Sequence, residues 1–362
     1  MSVARVALLG LGTVGSAVAH RLVGFPDENH LNGLNHPNPF VLTQILDRNA
    51  ARKREAFDPG GKIVWTNRIE DILCGDADIV VEAIGGVEPA AEWIRQALLH
   101  GKSVVTANKQ VVARHGAALW ALASRQGRQF RFEAAVGGAM PIVRAISDGL
   151  AGDRLTRIVA ILNGTTNAVL SRMDAGGVTL AQALEEARAT GIAEADPSAD
   201  LDGDDARAKL AILCALAFGV RVGVDDISAG TAAAITQADF ANARAAGATI
   251  RQLAHAEYDR TRSTLTAWVA PVAVPRDSTF GRAAGALNVA VITGEHAGEI
   301  VISGAGAGGG PTAVAIISDI AAIARDRAAV VPPPRLTSDF SVRRPVTRGL
   351  LHPSTSILAE AV

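Results

Sequence analysis

The sequence predicts an α/β protein: a parallel-sheet domain at the N-terminus, then an α+β domain whose sheet is not simply βαβ. Three observations carry this. Short apolar runs alternate with stretches of helical spacing through residue 126, which implies βαβ units and a parallel sheet. A turn punctuated by glycines stands directly after the first run. Past residue 150 the texture changes to β-branched runs separated by long Ala-rich stretches. A chain of 362 residues has room for about two domains.

Taken in order, residues 3–9 (VARVALL) form a strand that ends at glycine, and residues 13–23 repeat apolar positions at helical spacing. Further strands are expected at 40–46 (FVLTQIL), 77–84 (ADIVVEAI) and 102–106 (KSVVT), with helices at 88–100 and 110–126. Residues 24–39 (GFPDENHLNGLNHPNP) interrupt this alternation with Gly, Pro, Asn and His and read as a surface insertion. In the second half, 155–162, 264–274, 287–293 and 299–303 read as strands, and 179–190, 204–219 and 231–257 as helical. The glycine loop 304–311 (GAGAGGGP) opens a helix at 312–327, with Pro311 suited to a first helical position. The expected domains are 1–145, with the helix of 306–328 packing back on it, and 146–305. Residues 331–362, which begin with a valine and three consecutive prolines, are expected to form an extended tail without a further regulatory domain.

Composition narrows the class of function. Forty-nine percent of residues are apolar and 20% charged, enough for packed cores and too little charge for disorder. The 35 Lys and Arg balance 36 Asp and Glu, which gives no support to a nucleic-acid or membrane-surface partner. Two cysteines, Cys74 and Cys214, cannot make a disulfide scaffold or a four-thiolate zinc site, and their scarcity suits the cytoplasm. No apolar run has the length of a membrane helix, and glycines break the N-terminal apolar run where a secretory signal would continue.

The first chemical motif is Gly10-Leu-Gly12-Thr13-Val14-Gly15, placed after a strand and opening a helix. Gly10 permits the turn, Gly12 lets the backbone approach a pyrophosphate, and Gly15 lets helix and strand pack. In this setting the pattern points to a Rossmann-type dinucleotide-binding domain, with a merely structural glycine turn as the alternative. Asp47 closes the second strand, where a carboxylate accepts hydrogen bonds from the adenosine ribose and repels a 2′-phosphate. Arg48 follows and can instead meet that phosphate, so the pair is ambiguous, with a tilt toward NAD and NADP as the alternative. The strand of Gly101–Lys109 (GKSVVTANK) delivers Thr106, Asn108 and Lys109 to the sheet edge where ligands bind. Lys109 there is either solvated or set against an anionic or carbonyl substrate. In the segment 191–210 (GIAEADPSADLDGDDARAKL) five aspartates and a glutamate lead into a helix. Asp205 and Lys209 stand four apart on one helix face, the spacing of an ordinary solvated pair. The alternation of Asp200, Asp202 and Asp204 hints at a calcium loop, but Asp205 and Ala211 stand where Gly and Glu are needed. His20, His100 and His115 read as structural or solvated, and neither cysteine has the setting of a nucleophile.

These motifs resemble homoserine dehydrogenase. The segments GLGTVG (10–15), EAIGG (82–86), GKSVVTANK (101–109), FEAAVGGAMPI (132–142), LNGTTN (162–167), GIAEADPSADLDGDDARAKL (191–210) and SGAGAGGGPTA (303–313) fall in the family's order. The resemblance implies interconversion of L-homoserine and L-aspartate 4-semialdehyde with a nicotinamide cofactor, on the route to threonine and methionine. It implies Lys209 as the proton-transferring group, Asp205 and Lys109 as its catalytic companions, and Glu194, Asp200, Gly164 and Thr165 as substrate-binding. Gly10, Gly12, Thr13, Val14, Gly15, Asp47, Arg48, Gly85, Thr106, Lys109 and Gly308 would bind the cofactor. A structural monovalent cation, Na or K, would sit on Glu133, Val136, Gly138 and Met140, and the chain would form a homodimer. A related dehydrogenase for another small amino or hydroxy acid, or a non-catalytic cofactor-binding sensor, are the competing readings.

Overall fold

The computed structural model describes residues 3–24, 40–57, 63–326, 329, 331, 333–344 and 350–351. The chain divides into two compact units, Met1–Ala139 with Gly308–Pro334, and Met140–Ala307 with Arg335–Val362.

In the first unit, strands β1 (Ala4–Leu9), β2 (Phe40–Leu46), β3 (Val64–Thr66), β4 (Ile79–Glu82), β5 (Ser103–Thr106) and β6 (Phe130–Arg131) form one sheet in the order β3-β2-β1-β4-β5-β6. Every pair is parallel, as the alternation requires. Order reverses beside β1, and ligands of such sheets bind at that switch point, outside the carboxyl ends of the strands. Helices α1 (Thr13–Gly24), α2 (Ala50–Ala56), α3 (Ile69–Leu73), α4 (Ala90–Leu99) and α5 (Lys109–Arg125) connect the strands. The short elements α2, β3, α3 and β6 were not expected from the sequence, because each is too brief to show a period. Asn108 starts α5 by accepting the Val111 N–H at 3.2 Å, which satisfies one of the helix's unpaired first-turn donors.

The last helix of this unit, α12 (Gly309–Arg325), buries Ala313, Ile316 and Ile320 together with Leu8, Val18 and Leu22 of β1 and α1. Close approach requires a small residue: a Cβ on Gly309 would lie 3.0 Å from the Thr13 carbonyl. The helix begins before Pro311, which is its third residue rather than its first. That position is still tolerated, since first-turn N–H groups have no helical partner. The insertion 24–39 contributes Gly24 to α1, and its residues 25–39 lie outside the described residues.

The second unit opens with α6 (Ile142–Arg144), which runs into a π turn, Ala145–Gly149. Then come β7 (Leu155–Ile161), α7 (Gly164–Gly176), α8 (Leu180–Ala189), α9 (Ser198–Leu201), α10 (Asp204–Phe218), β8 (Ser228–Ala229), α11 (Gln237–Ala245), β9 (Ala248–Asp259), β10 (Thr264–Pro275), β11 (Leu287–Gly294), β12 (Gly298–Ala305) and β13 (Ser341–Arg343). Its sheet runs β12-β11-β7-β9-β10-β13, with β8 on β10. The pairs among β12, β11, β7, β9 and β10 are antiparallel, and β13 joins β10 in parallel. Thus part of the expected extended tail adds a strand, and Leu351 bridges Val272.

The expectation of one helix over 231–257 is wrong. Thr236 and Asp239 form a capping box at the start of α11. Gly247, at φ +70°, ends the helical stretch, and a twelve-residue strand, β9, follows. The stretch misleads because alanine carries no strong period of its own, whereas Ile250, Leu253, Ala254 and Ala256 fill both faces of a strand. One face of the sheet meets α7 and α11 through Ile250, Ala273, Val169, Leu170 and Phe240. The other carries Val159, Leu253, Trp268 and Val291 beside Phe280. No helix among the described residues is long and apolar enough to cross a membrane.

Candidate active site

A cavity of about 460 Å³ opens at the carboxyl ends of β1, β2 and β4 in the first unit. Of the expected cofactor residues, Gly10, Gly12, Asp47, Arg48 and Gly85 line it. The glycines fit a pyrophosphate. Gly10 sits at φ +91°, and a Cβ there would meet Ile84 at 2.7 Å. A Cβ on Gly15 would press on the Gly10 carbonyl at 2.0 Å, while nothing lies within 4 Å of the space over Gly12. Thr13, Val14 and Gly15 form the first turn of α1, whose N–H groups and dipole favour an anion. Gly308, at φ +108°, stands just before α12.

Asp47 does more than sequence reasoning assigned to it. Its carboxylate accepts the Leu11 N–H at 2.9 Å, the Asn49 N–H at 2.8 Å and the Lys53 ammonium at 2.7 Å. Burial pushes its pKa up, but Lys53 and the two backbone donors outweigh this and hold it below the usual carboxylate range. Lys53 also donates to the Leu11 carbonyl at 2.8 Å, so the pair fastens the glycine turn to the end of β2. Lys53, Pro89 and Trp93 line the cavity as well. Sequence reasoning missed them, because a lysine and a tryptophan on helices carry no motif of their own.

Thr106 stands at the end of β5. It is wholly buried, and its hydroxyl donates to Glu82 Oε2 at 2.5 Å. Glu82, also wholly buried, accepts the Ile84 and Gly85 N–H groups at 2.9 and 3.2 Å. Asn108 ties in through the Thr106 hydroxyl at 3.0 Å and the Gly86 carbonyl at 2.6 Å. This network shapes the loop of the EAIGG motif and sets the start of α5, where Lys109 is the first helical residue.

In the second unit, Lys209 and Asp205 of α10 are only 8% and 6% exposed. The Lys209 ammonium contacts Asp205 Oδ2 at 2.7 Å and donates to the Leu162 carbonyl at 2.8 Å. A solvated surface pair is therefore the wrong reading of this i,i+4 spacing. Two of the three ammonium N–H groups are used within the protein. Asn163, which sequence reasoning did not single out, donates to Asp200 Oδ1 at 2.6 Å and to Asp205 Oδ2 at 2.9 Å. Asp200, Asp205, Lys209 and the LNGTTN segment thus meet in one cluster. Gly164 and Thr165 begin α7, and a Cβ on Gly164 would meet the Ala286 carbonyl at 2.9 Å. The Thr165 hydroxyl donates to the Ile192 carbonyl at 3.1 Å, which draws the loop bearing Glu194 toward α7. Glu194 itself is exposed. Asp202 and Asp204 turn elsewhere, Asp202 to the Thr231 hydroxyl and Asp204 to Arg207.

The expected cation residues lie on one segment. Glu133 and Val136 are buried, and the successive glycines Gly137 and Gly138 have φ +82° and +60°, which lets consecutive carbonyls change direction. Met140 is buried, and its carbonyl accepts the Ile142 N–H at 2.8 Å. No group of three or more His, Cys, Asp or Glu side chains suited to a metal occurs among the described residues. Cys214 is buried, which pushes its thiol pKa up and away from nucleophilic use.

Comparison with known proteins decides the family. The profile described as homoserine dehydrogenase matches residues 141–321, and that described as homoserine dehydrogenase, NAD binding domain, matches residues 10–133. The chain belongs to the homoserine dehydrogenase family. Among homoserine dehydrogenases, the enzyme of Mycobacterium leprae is 41% identical over 327 residues, which are 89% of this chain and 72% of that protein. The crystal structure of a homoserine dehydrogenase from Thiobacillus denitrificans has a TM-score of 0.83 at 33% identity, covering 95% of this chain and 80% of the other. A hyperthermophilic archaeal homoserine dehydrogenase in complex with NADPH has a TM-score of 0.71 at 27% identity, covering 92% of this chain and 100% of the other.

Proposed function

We propose that the chain catalyses the reversible NAD(P)-dependent interconversion of L-homoserine and L-aspartate 4-semialdehyde. The observation that carries the reading is the buried Lys209–Asp205 pair, set at the most specific motif shared with the family. A bound nicotinamide supplies the hydride donor or acceptor. As a neutral amine Lys209 takes the hydroxyl proton as homoserine is oxidised, and as the ammonium it returns a proton to the alkoxide oxygen in the other direction. Asp205 keeps the ammonium at that place. Glu194 and Asp200 bind the substrate's α-ammonium, and Gly164 and Thr165 offer first-turn N–H groups to its carboxylate. Lys109 meets the carbonyl or carboxylate.

For the nucleotide, both NAD and NADP are used in this reading. Asp47 lines the cavity as a ribose reader does, but Lys53 neutralises it at 2.7 Å. With Arg48 exposed beside it, a 2′-phosphate meets net positive charge rather than a bare carboxylate. The tilt toward NAD that Asp47 alone would impose is reduced accordingly.

The remaining assignments are part of the same proposal. Backbone carbonyls of Glu133, Val136, Gly138 and Met140 bind a monovalent cation that supports the fold. The enzyme is a cytoplasmic homodimer that serves threonine and methionine biosynthesis. Support for the dimer comes from the family resemblance. Initial rates with homoserine against a panel of small hydroxy amino acids, with each nucleotide, test the reaction. Homoserine should lead the panel, and faster turnover of another member would replace the substrate.

A further inference from the structure

Asn163 carries a task that its place at a helix start does not require. Its Oδ1 caps α7 by accepting the Thr166 N–H at 2.7 Å. Serine or aspartate caps a helix about equally well, so capping does not explain the amide. The cap does orient it. Since Oδ1 faces a backbone N–H, Nδ2 must face the other way, where its two hydrogens go to Asp200 Oδ1 and Asp205 Oδ2 at 2.6 and 2.9 Å. One neutral donor thereby bridges carboxylates from α9 and α10. Residue 162 holds the other side of the same ammonium through its carbonyl, at 2.8 Å from Lys209 Nζ. The turn 162–163 therefore fixes Lys209 twice, directly through a carbonyl and indirectly through Asp205.

We propose that Asn163 is a positioning residue for proton transfer: its amide locks Asp200 and Asp205 together and so sets where the Lys209 ammonium stands. This rests on the reaction proposed above. Among the described residues, the other charged groups on neighbouring elements of this unit turn elsewhere. The faces of β7, β9 and β10 toward α10 present Ile158 and Ala160, Gln252, Ala254 and Ala256, and Val269, none of them charged. Arg157, Arg251, His255 and Glu257 alternate onto the opposite face, and Tyr258 lies farther along the helix side. Asp148 in the π turn and Asp225 after α10 are exposed, while Asp226 pairs with Arg344. On α10 and α9, Asp204 pairs with Arg207, and Asp202 bonds Thr231. Asp174 and Arg172 sit toward the far end of α7, held by Arg244 and Arg276 and by Glu186.

Two variants separate positioning from folding. Asn163→Ser keeps a capping oxygen and removes both donors. Asn163→Asp keeps shape and cap but places a third carboxylate in the cluster. For the serine variant, kcat/KM for homoserine should fall about 10- to 100-fold, the scale of a misplaced reacting group. Nucleotide affinity, read by tryptophan fluorescence, should stay close to the parent, and the variant should remain folded at 25 °C with a lowered melting temperature, since two hydrogen bonds to carboxylates are lost. For the aspartate variant, the pH at which homoserine oxidation rises should move about one unit alkaline, because added negative charge favours a protonated lysine. Parental kinetics and pH profile in both variants would overturn the proposal. A serine variant that unfolds, despite its retained cap, would make Asn163 a stability residue and overturn it too. Absence of homoserine turnover in the parent would instead defeat the reaction.

Discussion

Replacing Lys209 separates chemistry from packing, and its contacts decide which magnitudes apply. Lys209→Met keeps an apolar stem in a site where the native residue is 8% exposed, and removes the ammonium that touches Asp205 at 2.7 Å and the Leu162 carbonyl at 2.8 Å. Loss of a general acid–base group lowers turnover by about 10²–10⁴-fold, or about 3–5 kcal/mol of activation free energy. Removing one partner of a buried ion pair costs about 3–5 kcal/mol of stability when nothing else meets the remaining charge. Here Asn163 still donates to the same carboxylate oxygen at 2.9 Å, so the cost falls nearer that of a hydrogen bond to a charged group, about 1.5–3 kcal/mol. At about 2–4 °C per kcal/mol for a unit of this size, melting should drop by roughly 3–12 °C and leave a folded enzyme at 25 °C. The assay is initial-rate nucleotide reduction with homoserine, with nucleotide affinity measured separately. Turnover within a few-fold of the parent, or a loss of nucleotide affinity equal to the loss of rate, would refute the assignment of Lys209.

Three further outcomes follow from other residues. Glu194→Gln keeps size and loses charge at an exposed position, so KM for homoserine should rise several-fold with the nucleotide KM unchanged; a rise in the nucleotide KM alone contradicts its role. Lys53→Met leaves Asp47 without its ammonium partner, so kcat/KM with NADP should fall more than with NAD, by about tenfold for one lost charge-assisted contact; an unchanged ratio would remove Lys53 and Asp47 from cofactor choice. His255 is 1% exposed and stacks on Trp268 at 5.0 Å, with neither ring nitrogen bonded among the described residues. Burial, with Arg157 adding to it, lowers its pKa from 6.5 to about 4. The neutral ring is the folded form, so its stability contribution is complete above pH 6.5 and is lost as pH falls toward 4, by about 3 kcal/mol in all. His255→Phe should flatten that decline, giving a higher melting temperature than the parent at pH 5, and an equal or steeper decline would show that the ring is not held neutral.

The parallel sheet was legible because its strands and helices alternate and because glycines mark the turn between β1 and α1. The second sheet was legible only in part. Ala-rich residues 248–259 look helical by composition, and what makes them a strand is burial on both faces, supplied by α7 and α11 on one side and by residues such as Phe280 on the other. The i,i+4 spacing of Asp205 and Lys209 read equally well as a surface pair, and burial, a tertiary property, decided otherwise. Asn163 was invisible for the same reason, since its partners stand 37 and 42 residues away. Asp47 was found by position, but Lys53 was not, because no sequence rule says which lysine of a following helix turns back.

Hydride and proton transfer between homoserine and its semialdehyde can be followed in either direction. The most direct measurement runs the reduction: L-aspartate 4-semialdehyde with NADH or NADPH, following nucleotide oxidation and identifying the product by chiral chromatography. L-Homoserine should form in one-to-one ratio with nucleotide consumed, and that product should be lost in Lys209→Met. Nucleotide oxidation with other small aldehydes but not with this one, or an unchanged yield in the variant, would contradict the proposed reaction.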